Sequence, residues 1–182
     1  HLPPPDHAGA AAVLERLGVV GHYLLTVSTL EPRKNLPRLM AAYRRSGLEI
    51  PLVVVGPSGW GPSLKPEPGV LPAGYVDEGV KAALLAGARC LAYVPLFEGF
   101  GLPAVEAMAV GTPVVASPMP SIGQAALVVD PADTDDIAAA LVTAAEDEAV
   151  RVDLAGRGRR RAGELTWAES ARQHVELWRT LL

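Results

Sequence analysis

The sequence predicts a doubly wound α/β fold with a parallel sheet, and three observations support this prediction. Short apolar runs rich in β-branched residues alternate with longer stretches rich in Ala and Leu. Apolar residues within the short runs are contiguous, which is typical of strands that are buried on both faces of a parallel sheet. The repeated order of strand, helix and strand is the pattern of layered α/β domains.

Five apolar runs predict strands, and the stretches between them predict helices. The runs are YLLTV (23–27), LVVV (52–55), CLAYV (90–94), PVVA (113–116) and LVVD (127–130), with a shorter strand around Gly69–Val70. Helical spacing covers Leu36–Arg45, Val80–Gly87 after an Asp77 cap, and Pro103–Val110 before Gly111. Beyond residue 130 we expect helices over 137–145 behind Asp133, over 149–163, and from the capping box Thr166-x-x-Glu169 to Leu182.

Composition limits the classes of function. The 182 residues are 49% apolar and 20% charged, which is typical of one soluble globular domain. The formal charge of −4 argues against a nucleic acid partner. Because Cys90 lies within an apolar run, we expect a packed core thiol rather than a nucleophile.

The expected location is the cytoplasm, and peripheral attachment at the inner face of the membrane is left open. No apolar run reaches the roughly 18 residues that span a bilayer. The first residues, HLPPPDHAG, lack the regions of a signal peptide. Histidines and acids do not occur at metal-ligand spacing, so no metal is expected.

Two loops that follow predicted strands carry the residues best suited to ligand binding. In STLEPRKN (28–35), Arg33 and Lys34 directly precede a helix, an arrangement that favours a diphosphate; a solvated loop pair is the alternative. In LFEGFG (96–101), Gly99 and Gly101 permit close approach of a ligand to the backbone N–H groups at the next helix start. Since ligands bind beyond the carboxyl ends of the strands, we expect the two loops to converge on one pocket.

The stretch FEGFGLPAVE places Glu98 in the second loop and Glu106 about one turn into the helix. Carboxylates accept hydrogen bonds from paired hydroxyls, so the two acids indicate a ligand that carries both phosphate and sugar. They could instead be acids that stabilise the helix dipole. Tyr75 either lines a base pocket or packs, and Trp60, in the loop 56–69, either borders the nucleotide or lies on a variable surface.

Five motifs in this order resemble a known family: TLEPRKNL, GYVD, EGFGLPAVEAMAVGTPVVAS, AALVVDP and TWAESA. They are similar to the C-terminal half of retaining glycosyltransferases of family 4 (glycosyltransferase group 1), which have the GT-B fold and include many mannosyltransferases. The resemblance implies a linker and first helix over 1–22, a single Rossmann-like three-layer domain over 23–165 that binds a nucleotide diphosphate sugar, and a C-terminal helix over 166–182. It also implies a separate N-terminal acceptor domain, which is absent from this sequence.

Carried over position by position, the resemblance implies a role for each site residue. Arg33 and Lys34 would neutralise the donor diphosphate in place of a metal or other cofactor, Glu98 and the loop backbone would hold the hexose and its phosphate, and Glu106 would bind the ribose. The implied catalytic residues are Glu98, Arg33 and Lys34. The implied substrate-binding residues are Gly99, Phe100, Gly101, Leu102 and Glu106, and Tyr75 is added as a candidate from its place in AGYVD (73–77).

The implied function is that of the donor-binding domain of a retaining glycosyltransferase. It would transfer a hexose, with mannose as a candidate, from a nucleotide diphosphate sugar to a glycan or lipid-linked acceptor, and would be inactive without its N-terminal half. Two departures from the family leave a second hypothesis open: Ser28 replaces a usual glycine, and the segment 117–127 is shorter and lacks Pro-Glu-Val. That hypothesis is a degenerate, non-catalytic sugar-nucleotide-binding domain that serves as partner of an active glycosyltransferase.

Overall fold

A computed structural model describes residues 2–57 and 67–181, and these residues contain a parallel sheet of six strands. The strands are β1 (Leu24–Val27), β2 (Leu52–Val55), β3 (Val70–Gly74), β4 (Cys90–Tyr93), β5 (Val114–Ala116) and β6 (Leu127–Val128). Their order across the sheet is β3-β2-β1-β4-β5-β6, and neighbouring strands pair in parallel. The chain reverses its direction of winding between β1 and β4, and this is the position where open α/β sheets bind ligands.

Seven α-helices lie within the described residues, together with a 3-10 helix at Pro32–Lys34. They are α1 (His7–Arg16), α2 (Leu36–Ser46), α3 (Glu78–Gly87), α4 (Leu102–Val110), α5 (Thr134–Glu146), α6 (Glu148–Glu164) and α7 (Trp167–Thr180). Asp133 caps α5 by accepting the N–H groups of Asp135 and Asp136, as predicted. Asp77 precedes α3 but makes no capping hydrogen bond.

Helices cover both faces of the sheet, which confirms the predicted three-layer α/β domain. Leu25 and Leu91 belong to a core with α1, α3 and α4, whereas their neighbours Leu24 and Cys90 belong to a second core with α2 and α5. Side chains on both faces of the strands are therefore buried, which is why the apolar runs do not alternate with polar residues. Cys90 is fully buried, as expected of a core thiol.

The last two helices differ in how they contact the domain. Gly158 of α6 lies directly against Met108 of α4. In α7, by contrast, no described residue is buried, and Trp167 and Trp178 are exposed.

Across residues 2–57 and 67–181, no helix combines the length and apolar character needed to cross a bilayer.

Candidate functional site

Two loops at the reversal between β1 and β4 are joined by hydrogen bonds, and we call these loops, residues 28–35 and 94–101, the ledge. The N–H of Leu96 donates to the carbonyl of Arg33 at 2.8 Å. The side chain of Asn35 donates to the carbonyls of Val94 at 3.0 Å and Pro131 at 2.8 Å. Asn35 is buried and adopts a left-handed backbone with φ of 60°, which asparagine tolerates better than most residues. The two loops therefore act as one structural unit.

The carboxylate of Glu98 is the centre of a hydrogen-bond cluster on the ledge. Its Oε2 accepts from Lys34 Nζ at 2.6 Å, from the Tyr93 hydroxyl at 2.6 Å and from Arg33 Nη1 at 3.2 Å. Its Oε1 accepts only the N–H of Gly99, at 3.2 Å, among the residues that the structure describes. Oε1 is therefore the oxygen with capacity to accept hydrogen bonds from a ligand.

These contacts keep Glu98 ionised. Burial opposes ionisation, but the hydrogen bonds from Lys34 and Tyr93 and the charge of Lys34 outweigh it, and the pKa of Glu98 falls to about 2. Burial and the hydrogen bond to Glu98 raise the pKa of the Tyr93 phenol above its ordinary value. At neutral pH, Glu98 is thus a hydrogen-bond acceptor and has no proton to donate.

Both cations of the ledge already have carboxylate partners. Arg33 Nε donates to Glu31 Oε2 at 2.8 Å, in addition to the contact of Arg33 with Glu98. Lys34 is largely buried, with 11% of its side chain exposed, and it also donates to the Tyr93 hydroxyl at 2.8 Å. Two positive and two negative charges therefore balance at this site, a pairing that the sequence did not reveal.

The backbone from Gly99 to Leu102 leads into the N-terminus of α4. Gly101 has φ of 81°, where a side chain is strained, and a Cβ there would clash with Met119 Sδ, so the position strongly favours glycine. Within the described part of the chain, the N–H groups of Phe100, Gly101 and Leu102 have no protein acceptor. Phe100 and Leu102 are exposed and Gly101 between them is buried, and the three unpaired N–H groups lie at the positive end of a helix dipole.

Two other predicted site residues lie outside the Glu98 cluster. Glu106, on α4, accepts Lys81 Nζ at 3.0 Å through Oε1, while its buried Oε2 has no partner among the described residues. Lys81 also pairs with Glu78 at 2.7 Å. Tyr75 follows β3 and is 68% exposed. Trp60 is outside the residues that the structure describes.

Comparison with known proteins identifies the family. Residues 21–147 match the family model described as "Glycosyl transferases group 1". The chain belongs to this family. It is 34% identical over 175 residues to the O-antigen chain mannosyltransferase B of Escherichia coli, covering 87% of this chain and 46% of that protein. It is also 34% identical over 181 residues to an MMP α-(1→4)-mannosyltransferase of Mycolicibacterium hassiacum, covering 90% and 44%.

Solved structures agree with the family assignment. Sucrose-phosphate synthase from Thermosynechococcus elongatus has a TM-score of 0.74 at 25% identity, over 99% of this chain and 52% of that one. Anabaena HepE, solved in complex with UDP and glucose, has a TM-score of 0.79 at 20% identity, over 98% and 54%. This group 1 family member therefore has the fold of one half of a GT-B glycosyltransferase, as predicted. It spans about half the length of the curated relatives that it matches.

Four residues of this group 1 family member had no predicted site role, although three of them contact predicted site residues and the fourth, Asn35, joins the two loops of the ledge. They are Glu31, Asn35, Lys81 and Tyr93. The run CLAYV predicts Tyr93 only as part of a core strand, although a phenol at the end of a buried strand needs a hydrogen-bond partner and is a signal for the cluster. Lys81 resembles an ordinary surface lysine, because Glu78 lies three residues before it on the same helix.

A surface cleft adjoins the Glu98 cluster of this domain. Its volume is about 390 Å³, within the range of small-molecule sites. Its lining residues are Pro95, Leu96, Phe97, Glu98, Ser117, Pro118 and Pro131. Glu98 therefore borders both the N–H groups at the start of α4 and a space that could hold a small ligand.

Proposed function

We propose that this chain is the donor-binding domain of a retaining glycosyltransferase that transfers a hexose from a nucleotide diphosphate sugar to a glycan or lipid-linked acceptor. The observation that carries the proposal is the cluster of Glu98 with Arg33 and Lys34, which lies beside the free N–H groups at the start of α4. The names of the two relatives described above favour mannose as the hexose.

The diphosphate would bind to Arg33, Lys34 and the N–H groups of residues 100–102. A phosphate oxygen can replace Glu31 as the partner of Arg33, whose side chain is 44% exposed. As the bond to the sugar breaks, negative charge grows on the leaving diphosphate. Fixed cations and N–H groups then stabilise the transition state more than the bound substrate. The proposal requires no metal, and this part of it stays a prediction.

Glu98 would bind the transferred hexose through Oε1, the oxygen that accepts only the Gly99 N–H. Because its pKa is about 2, Glu98 would orient sugar hydroxyls as an acceptor rather than protonate a leaving group. The adjoining cleft of about 390 Å³ provides space for the sugar ring.

Glu106 and Tyr75 would bind the nucleoside. Lys81 occupies one oxygen of Glu106 and leaves the other, buried and unpartnered among the described residues, to accept a ribose hydroxyl. A buried acceptor without a partner is costly, so a hydroxyl that reaches it contributes to binding. Tyr75 directly follows the carboxyl end of β3 and offers an exposed ring that is suited to stack on a base.

The chemistry of the complete enzyme would require an acceptor site outside this chain. Since the relatives are about twice as long, we propose that an N-terminal domain supplies it, and that contact with the membrane is peripheral if the acceptor is a lipid.

The position of Ser28 favours this function over the degenerate alternative. Its hydroxyl donates to the Thr29 carbonyl at 2.9 Å, so the side chain is directed into its own loop.

Titration calorimetry with UDP, GDP, UDP-glucose and GDP-mannose tests the proposal. We expect at least one of these ligands to bind, and the double variant Arg33→Ala with Lys34→Ala to lose about a hundredfold in affinity. Two charge-assisted hydrogen bonds worth about 1.5 kcal/mol each give this factor. A matched control, Arg44→Ala with Arg45→Ala, removes two adjacent cations of α2 that pair with Glu67 and Asp135 and should bind normally.

Two results would contradict the assignment. The first is that no nucleotide binds, and the second is that both double variants bind equally well. A further variant, Glu98→Gln, separates the sugar from the nucleotide: it should weaken the nucleotide sugar several-fold and leave the nucleoside diphosphate almost unaffected.

A further inference from the structure

The segment between β5 and β6 lies directly behind the loop that leads into α4. Ser121, in this segment, has only 1% of its surface exposed, and its hydroxyl donates to the carbonyl of Phe100. Met119 fills the space where a side chain on Gly101 would otherwise project. A second buried serine, Ser117, donates to the carbonyl of Pro95 at 2.6 Å. The segment thus supports the ledge from within the protein.

The hydrogen bond from Ser121 fixes the orientation of a peptide plane. In a trans peptide, the carbonyl of one residue and the N–H of the next point in opposite directions. The Phe100 carbonyl is held toward the buried Ser121 hydroxyl, so the N–H of Gly101 must point away from the segment. Consistent with this geometry, the Gly101 N–H has no acceptor within residues 2–57 and 67–181. Since glycine has a wide choice of backbone conformations, this plane would otherwise be free to rotate.

Arg161, on α6, holds the segment in place. Its Nε donates to the Ser121 carbonyl at 2.9 Å, and its Nη2 donates to the Pro120 carbonyl at 3.1 Å. Contacts therefore run from α6 through Ser121 to the Phe100–Gly101 peptide, and each link is a hydrogen bond to a defined atom.

We propose that Ser121 is a positioning residue that directs the Gly101 N–H toward the sugar-bearing phosphate of the donor. This inference rests on the proposed function, because it assumes that a nucleotide diphosphate binds at the start of α4. The contribution of the segment to the site would be mechanical support for a backbone donor.

The test compares affinities for nucleoside diphosphate and monophosphate, UDP against UMP and GDP against GMP, in the wild-type chain and in Ser121→Ala. The wild-type chain should prefer the diphosphate. In Ser121→Ala, this preference should fall about tenfold while the affinity for the monophosphate stays constant. Ser121→Thr, which keeps a hydroxyl, should restore it, and Arg161→Gln should show a smaller loss in the same direction.

A matched control removes a buried hydroxyl elsewhere. Thr112 is 3% exposed and donates to the Leu85 carbonyl at 2.6 Å, between the end of α4 and the start of β5. Thr112→Val should keep the full preference for diphosphate, because a general loss of stability does not distinguish the second phosphate. The amide resonance of Gly101 provides a second measurement: added diphosphate should shift it in the wild-type chain and not in Ser121→Ala.

The outcomes separate the two proposals. If the wild-type chain binds no nucleotide, the proposed function is wrong and the role of Ser121 fails with it. If the wild-type chain binds diphosphate and Ser121→Ala keeps the same preference, or Thr112→Val loses it equally, then Ser121 is not a positioning residue although the function stands. The same conclusion follows if added diphosphate shifts the Gly101 amide resonance of folded Ser121→Ala as far as it shifts that of the wild-type chain.

Discussion

Replacement of Glu98 by glutamine should destabilise the domain at neutral pH, and the difference from the wild-type chain should shrink as the pH falls from 4.5 toward about 2. The pKa of Glu98 falls from 4.5 to about 2, despite opposing burial, because Lys34 and Tyr93 donate hydrogen bonds to it. A depressed pKa means that the folded state favours the ionised carboxylate. The stabilisation is therefore complete above the unfolded pKa and is lost as pH falls toward about 2.

The magnitude follows from this shift. A pKa change of this size corresponds to about 3 kcal/mol at most. The side chain of Glu98 is 18% exposed on a surface loop, and screening by solvent should reduce the contribution to about 1–2 kcal/mol. Glutamine keeps the shape of the side chain but not its charge, so it also leaves the buried ammonium of Lys34 without an anion.

Urea unfolding of both proteins between about pH 7 and pH 3 measures the effect. The other carboxylates contribute equally to the stability of both proteins, so their contributions cancel in the difference. Glu176→Gln is the matched control: Glu176 accepts Arg172 at 2.6 Å, but its side chain is 60% exposed. It should cost less than about 0.5 kcal/mol at any pH. If Glu98→Gln is as stable as the wild-type chain at neutral pH, or if the gap stays constant in acid, the reasoning about the cluster is refuted.

Three further changes test other parts of the structure. Gly101→Ala should lower the melting temperature, because the left-handed backbone and the clash with Met119 cost about 2–4 kcal/mol. Gly99 has open space around it, so Gly99→Ala should be nearly neutral. Equal melting temperatures of the two variants would contradict this prediction. Asn35→Ala should lower the free energy of unfolding in urea by about 2–3 kcal/mol, because two hydrogen bonds are lost and alanine is strained at the positive φ. Asn35→Gly loses the same hydrogen bonds without that strain and should therefore be more stable than Asn35→Ala. Equal stability of the two variants would contradict the left-handed conformation of residue 35. Because burial raises the pKa of Cys90 to about 12, despite the nearby arginines, a thiol reagent at about pH 8 should react only after unfolding, and rapid labelling of the folded chain would overturn this prediction.

The interior of the sheet could be predicted from the sequence more accurately than its edges. The run LVVV coincides with β2, which has neighbours on both sides, and its apolar character follows from burial on both faces. At one edge, β3 extends to Gly74, well beyond the predicted short strand. Its sequence VLPAG contains a proline, which argues against a strand in a sequence pattern and is tolerated here because β3 is an edge strand. At the other edge, β6 has two residues, Leu127 and Val128, where four were predicted.

For the candidate site, residue types and loops could be predicted from the sequence, but the partners of each side chain could not. The two cations and Glu98 are 64 or 65 positions apart along the chain and meet only because β1 and β4 are neighbours in the sheet. Strand order is a tertiary property, and no local spacing encodes it. For the same reason the contacts of Tyr93 with Lys34 and of Lys81 with Glu106 could not be predicted.

The balanced charges of the ledge determine how a ligand would find it. Arg33 and Lys34 are neutralised by Glu31 and Glu98, and the whole chain carries a formal charge of −4. Beyond the Debye length of about 8 Å at physiological ionic strength, an approaching nucleotide diphosphate would therefore encounter no attractive field. Its association rate should depend little on salt, and attraction would begin only when the phosphates exchange places with a carboxylate. Occupancy would then follow the cellular supply of the donor and the exchange of partners at contact, without electrostatic steering from a distance.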